Sequence, residues 1–140
     1  MSEIKYKQTD KYIKFEIPEI PVSKKNNYAV WFNKKTRQSI IFKNKKWTDY
    51  ENKFKYWLRY IKKDIKKKDI FPLKNLSKTV IIFYFSNKHR KDLLNLAQFI
   101  DLFVEHKIIE DDNWINTWPV ILIPIYQENQ KEKTEVYFYF

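Results

Sequence analysis

Apolar and polar residues alternate from Tyr12 to Ile17, with Ile13, Phe15 and Ile17 on one side and Tyr12, Lys14 and Glu16 on the other. A period of two marks a strand with one buried face, and Pro18 and Pro21 bracket the break that follows it. Tyr28 to Phe32 and Ser39 to Lys43 read as the short strands of a hairpin, connected through Asn33 to Arg37. From Trp47 the period changes. Tyr50, Phe54, Trp57, Ile61 and Ile65 recur at helical spacing and make one apolar stripe. Lys53, Lys55, Arg59, Lys62, Lys63, Lys66, Lys67 and Lys68 occupy the other side. Thr48 and Glu51 have the T-x-x-E spacing of a capping box, which starts this helix near Trp47. It is expected to end before Pro72.

Thr79 to Phe85 is nearly all apolar and β-branched or aromatic, as expected of a central strand buried on both faces. A second helix is expected from about Asp92 to His106, with Leu93, Leu96, Ala97, Ile100, Phe103 and Val104 turned inward. Trp114 to Tyr126 holds a strand interrupted by Pro119 and Pro124, whose missing N–H groups favour a sheet edge. Glu135 to Phe140 alternates and closes the chain as a last strand. The expectation is an α+β fold: one domain over residues 1–140, with a mixed β-sheet and two main helices packed on it.

A chain of 140 residues, 44 % hydrophobic and 19 % aromatic, has the material for one core. Lys and Arg number 28 against 17 acidic residues, a net charge of +11 and a pI near 9.6. That excess favours a polyanionic partner, although the abundance of Lys, Asn, Ile, Phe and Tyr suggests an AT-rich genome that supplies part of it. No stretch approaches the roughly 20 apolar residues of a membrane-spanning helix, and Met1 to Asp10 has no secretory apolar core. Cysteine is absent, which removes disulfides and thiolate metal sites and fits a reducing compartment. The chain reads as cytoplasmic. It also has no glycine, so Gly-rich phosphate loops are excluded. Turns that need positive φ must then use Asn or Asp, and the candidates are Asn26-Asn27, Asn44, Asn87, Asn113 and Asn129.

One constellation carries chemistry. The strand ending at Phe85 runs into Ser86-Asn87-Lys88-His89-Arg90-Lys91-Asp92, then a helix, then Glu110-Asp111-Asp112. Carboxylates at element ends beside cations suit metal-dependent phosphodiester cleavage: hard oxygen ligands hold Mg²⁺, the metal activates water and polarises the phosphate, and Lys and Arg draw in the backbone. Each residue also has a plainer reading. Asp92 is equally a helix N-cap, Asp111-Asp112 an ordinary turn, Lys88 to Lys91 a solvated loop, and the lysine-rich helix face solvated surface. His89 and His106 have no second ligand at metal spacing. Tyr28, Trp31 and Phe32 could stack on bases in an RNA-binding module, but such aromatics are more simply core.

Several segments resemble the RusA family of Holliday junction resolvases. Pro21-Val22-Ser23-Lys24-Lys25-Asn26-Asn27 is similar to that family's N-terminal proline, serine and asparagine motif, and Lys46 to Lys53 to the start of its first helix. The most specific likeness is Arg90-Lys91-Asp92-Leu93-Leu94-Asn95 followed by Ile108-Ile109-Glu110-Asp111-Asp112-Asn113-Trp114, against a family pattern of basic run, Asp-Leu-Asp-Asn, helix and an Asp-Asp pair. The resemblance spans residues 12–140, with its specific motifs in the second half. It implies a phage-type divergent member: a Mg²⁺-dependent, homodimeric endodeoxyribonuclease that cuts four-way junctions or other branched DNA in recombination and repair. The implied metal ligands are Asp92, Asp111 and Asp112, with Asn95 as a supporting polar group. Lys88, Arg90 and Lys91 would contact phosphate near the cut, and Lys24, Lys25, Lys62, Lys63, Lys66 and Lys67 the junction arms. Two positions depart from the pattern. Leu94 stands where the second Asp belongs, with Asp101 or Glu110 as replacements, and the family lysine falls on Ala97 or Gln98. Some phage subgroups also lack that Asp. The alternative is a degenerate relative that binds branched or duplex DNA without cutting it.

Overall fold

The computed structural model of the protein describes residues 4–22, 28–43, 45–64, 71–88, 92–110 and 118–140; of residues 28–31, 40–43 and 64 it describes the backbone alone. Seven strands and three helices are present among them: β1 (Lys5–Gln8), β2 (Tyr12–Ile17), β3 (Tyr28–Asn33), β4 (Gln38–Lys43), α1 (Lys45–Asp64), β5 (Lys78–Phe85), α2 (Leu93–Ala97), α3 (Ile100–Glu105), β6 (Val120–Tyr126) and β7 (Lys133–Tyr139). The fold is α+β. Five strands form one sheet in the order β1-β2-β7-β5-β6, and β3 and β4 form a separate hairpin. All neighbours in the sheet are antiparallel except β5 and β6. A parallel pair needs a long crossover, and α2 and α3 lie within it. Among the described residues no helix is long and apolar enough to cross a membrane.

The alternation of β2 is realised directly: Ile13, Phe15 and Ile17 are fully buried. Their cross-strand partners Phe138, Val136 and Thr134 extend the same face into β7, which is the middle strand of the sheet. β6 is an edge strand, so the missing N–H of Pro124 leaves no gap in a two-sided ladder. Between sheet and helices lies an aromatic core centred on Phe103, whose ring meets Phe15 at 5.1 Å, Phe54 at 5.3 Å and Phe138 at 5.5 Å. The last two are edge-on contacts, the arrangement aromatic quadrupoles prefer. Trp118 closes one end of the sheet, its Nε1 donating to the buried Thr79 Oγ1 at 2.6 Å.

Several expectations need correction. α1 begins at Lys45, so Thr48 and Glu51 lie inside the helix and form no capping box at its start. Trp47 is buried with its ring tilted against that of Tyr50 at 5.9 Å, and burying that indole in the first turn draws the helix upstream. Tyr50, Phe54, Trp57 and Ile61 face the core as expected; Ile65 lies outside the described residues. β5 is buried on one face only, through Thr79, Ile81, Phe83 and Phe85, while Lys78, Val80, Ile82 and Tyr84 are half-buried. β1 has no counterpart in the sequence expectations.

The single helix expected over residues 92–106 is two short helices. Leu96, Ala97, Phe99, Ile100, Leu102 and Phe103 are all buried. At about 100° per residue, the buried positions from 102 round to 97 would span an arc of roughly 220° on one straight helix, too wide for a single buried stripe. The chain resolves this by tightening at Gln98 and Phe99, where bonds of the i→i−3 kind appear: Phe99 N–H to Leu96 O, Asp101 N–H to Gln98 O and Leu102 N–H to Phe99 O. Leu93 and Val104, expected inward, are half-buried.

Positive φ occurs at Arg37, Asn75, Lys107 and Asn129. Of the asparagines expected there, Asn129 adopts it and Asn87 does not; Asn26, Asn27, Asn44 and Asn113 lie outside the described residues. In the β3–β4 connection an asparagine acts through its side chain instead. Asn33 Oδ1 accepts from Lys35 N–H at 2.9 Å and Thr36 N–H at 3.4 Å, and Arg37 takes the left-handed turn.

Candidate active site

Parallel strands bring their carboxyl ends to the same side, where open α/β sheets place ligand sites. The chain leaves β5 at Phe85 and β6 at Tyr126, and these residues are register partners. Gln127 N–H donates to Phe85 O at 2.8 Å, extending the ladder by one bond, and the rings of Phe85 and Tyr126 stack at 5.7 Å. Beyond this join opens a cleft of about 600 Å³ lined by Ser86, Asn87, Lys88, Tyr126 and Glu128. Its floor is fixed by Ser86 N–H, which donates to Glu132 Oε2 at 3.1 Å. Lys88 is exposed at the rim. Tyr126 and Glu128 were not singled out in the sequence, because only the pairing of β6 with β5 carries them to Ser86.

Asp92 caps α2. One carboxylate oxygen accepts from Asn95 N–H at 3.1 Å and the other from the Asn95 side-chain amide at 2.8 Å, while Asp92 O accepts from Leu96 N–H at 3.1 Å. The carboxylate is exposed. A carboxylate has about four lone-pair sites, so the two bonds from Asn95 orient the group and leave acceptor capacity on each oxygen. Four residues of chain reach at most roughly 14 Å, which keeps Asp92 close to Lys88 and the cleft mouth. α2 itself packs beside β6.

The positions of the departures are explicit. Leu94 is 50 % exposed, an apolar side chain in solvent beside the Asp92 cap. The Gln98 amide turns back on Leu94 O at 3.3 Å. Glu110 pairs with Lys74 at 3.6 Å and its N–H donates to Leu73 O. The chain reaches Glu110 by turning at Lys107, where Ile108 N–H bonds Phe103 O at 2.9 Å, and residues 108–110 then pair with Leu73, whose N–H donates to Ile108 O at 2.8 Å. Asp111 and Asp112 lie outside the described residues, as do Lys24, Lys25, Lys66, Lys67, Arg90 and Lys91. Among the described residues no three His, Asp or Glu side chains gather to hold a metal. Asp92 and Asn95 are brought together.

On α1, Lys63 is exposed while Lys62 is half-buried and donates to His106 O at 2.8 Å. His106 terminates α3. Burial holds its imidazole below the ordinary value, and the nearby Lys55, Arg59 and Lys62 add to that effect against the opposing pull of Glu105. It is a packed residue at a helix end, consistent with its lack of a metal-spaced partner.

No protein-family model matches this sequence, and no curated protein matches it.

Proposed function

We propose that the protein is a RusA-like, Mg²⁺-dependent endodeoxyribonuclease acting on four-way or otherwise branched DNA as a homodimer. The observation that carries this reading is the Asp92–Asn95 pair: an exposed carboxylate held in a fixed direction, four residues along the chain from Lys88 of the cleft at the carboxyl ends of two parallel strands. The oxygen donors suit a hard cation, which keeps several waters and needs only one or two carboxylates from the protein. Asp92, Asp111 and Asp112 would hold it, and when bound it would supply Lewis-acid polarisation of the phosphate and an activated water. Asn95 orients Asp92, and Lys88 with Arg90 and Lys91 neutralises the DNA backbone. Incubation with labelled four-way junction and with linear duplex, with and without Mg²⁺, tests the reading. Symmetric nicking of the junction alone, and only with Mg²⁺, is the expected result; no cleavage under any condition rejects it.

A binding-only relative is the second reading, favoured by one observation. Leu94 is exposed where the family pattern has a carboxylate, and the Gln98 amide is spent on the backbone. Tight junction binding without cleavage identifies this case.

A further inference from the structure

The helices cover one face of the five-stranded sheet, and the other face has its own chemistry. There β2 and β7 place Tyr12, Tyr137 and Tyr139 together: Tyr12 lies 5.3 Å from Tyr137 and 5.4 Å from Tyr139, and the latter two stack at 6.1 Å. All three are half-buried, with part of each side chain in solvent. Cations stand over the rings of this face, Lys78 over Tyr139 at 4.6 Å, Lys133 over Tyr84 at 4.9 Å and Lys14 over Tyr137 at 5.4 Å.

The charge is unbalanced. Among the described residues, the face's two acidic side chains are neutralised within it, Glu135 by Lys14 and Glu16 by Lys133 at 3.3 Å. Lys5 and Lys7 of β1 are exposed, and no ion pair joins them or Lys78 to a carboxylate among the described residues. Lys5, Lys7 and Lys14 also line a shallow cleft of about 180 Å³ between β1 and β2. Protein interfaces are depleted in lysine, so a protein partner fits this face poorly. A partner with a regularly charged backbone and flat, unstacked rings fits both parts: phosphates for the lysines and bases for the tyrosines.

We infer that the sheet face carrying Tyr12, Tyr137 and Tyr139 with Lys5, Lys7 and Lys78 binds single-stranded nucleic acid. Duplex offers no free base faces and gains only the electrostatic part. This surface is separate from Asp92 and from the cleft beyond β5 and β6, and does not depend on either being catalytic.

The test uses fluorescence anisotropy with oligothymidine of about twelve nucleotides, within the site sizes of single-strand-binding folds. An abasic oligomer and a duplex of equal length serve as comparison probes. Wild type should bind oligothymidine more tightly than either. Stacking one base on an aromatic ring contributes about five-fold to over a hundred-fold in affinity, so the double variant Tyr137→Leu, Tyr139→Leu should lose at least about five-fold on oligothymidine and little on the abasic probe. The exposed triple variant Lys5→Gln, Lys7→Gln, Lys78→Gln leaves the rings in place and should flatten the salt dependence by about 0.7 for each phosphate no longer neutralised. Thermal melting establishes that each variant is folded. Equal binding of oligothymidine and abasic oligomer by wild type, or an unchanged salt slope in the folded lysine variant, overturns the inference. So does a change in mass by light scattering with unchanged oligomer binding, which would make the face a protein interface.

Discussion

Asn95 engages both carboxylate oxygens of Asp92, one through its backbone N–H at 3.1 Å and one through its side-chain amide at 2.8 Å. The two readings of Asp92, helix cap and metal ligand, are therefore physically compatible: the bonds that cap α2 also fix the direction of an exposed carboxylate.

Two substitutions separate those roles. Asn is as good an N-cap as Asp, whereas Ala loses about 1 kcal/mol. Asp92→Asn should thus melt within a few tenths of a kcal/mol of wild type yet lose Mg²⁺-dependent junction cleavage, with binding kept or tightened because a charge that repels phosphate is gone. Asp92→Ala should lose both activity and about 1 kcal/mol of stability. Normal cleavage by Asp92→Asn would confine the residue to capping.

A second expectation concerns the ion network on the outer sheet face. Glu135 is nearly buried on β7, paired with Lys14 and accepting from Tyr84 Oη. Burial alone would raise its carboxyl, but hydrogen bonds from Lys14 and Tyr84 outweigh that and hold it below its ordinary 4.5. The same contacts raise Lys14 against the effect of burial, and burial together with Glu135 pushes Tyr84 up to about 12. A lowered carboxyl contributes stability that is present above pH 4.5 and lost as the pH falls through its folded value; the raised Lys14 and Tyr84 contribute below about pH 10 and lose it on further rise. Glu135→Gln should cost about 2–3 kcal/mol at neutral pH, since it strands a partly buried ammonium and removes charged hydrogen bonds. Urea titrations across pH should show the gap between wild type and variant narrowing at both extremes. A gap constant with pH would locate the effect in packing instead.

Which parts of this fold can be read from sequence follows from the physics of each element. β2 was legible because its inner residues Ile13, Phe15 and Ile17 are all fully buried, so the alternation is complete. β1 was not, because three of its four residues are exposed and its pairing with β2 leaves no pattern. The break between α2 and α3 is visible only as an apolar stripe too wide for one helix, which the buried residues between 96 and 103 demand. At the site, Asp92 and Lys88 stood out by residue type. Tyr126 and Glu128 did not, because their place beside Ser86 is created by a register between strands some forty positions apart.

The lysines of α1 divide in the same way. Lys63 is exposed, whereas Lys62 donates to the carbonyl that ends α3, where a cation also meets the negative end of the helix dipole. Lys63→Glu should leave thermal stability unchanged and flatten the salt dependence of junction binding by about 0.9 if one duplex phosphate is contacted. Lys62→Glu should destabilise by about 1–2 kcal/mol through removal of the charged bond and reversal of the charge at a helix end. An unchanged slope in Lys63→Glu would return that side of α1 to ordinary solvated surface.

Leu94 offers the most direct route to the question of activity. It is 50 % exposed on the first turn of α2, so replacing it leaves the core intact, and a carboxylate at the start of a helix is favourable by about 0.3–1 kcal/mol. Leu94→Asp should therefore fold at least as well as wild type. It also rebuilds, two residues after Asp92, the Asp-Leu-Asp-Asn order of the resolvase pattern. If the protein is a nuclease working with fewer carboxylates than that pattern has, junction nicking should rise several-fold, with a lower Mg²⁺ requirement. If it is a binding-only relative, the restored carboxylate should create or fail to create nicking according to whether Asp111 and Asp112 complete the site, which the Asp112→Asn, Leu94→Asp pair then reads. Activity in Leu94→Asp that vanishes with Asp112→Asn would tie the two segments to one metal. Cleavage absent from wild type and from a folded Leu94→Asp would reject the nuclease proposal.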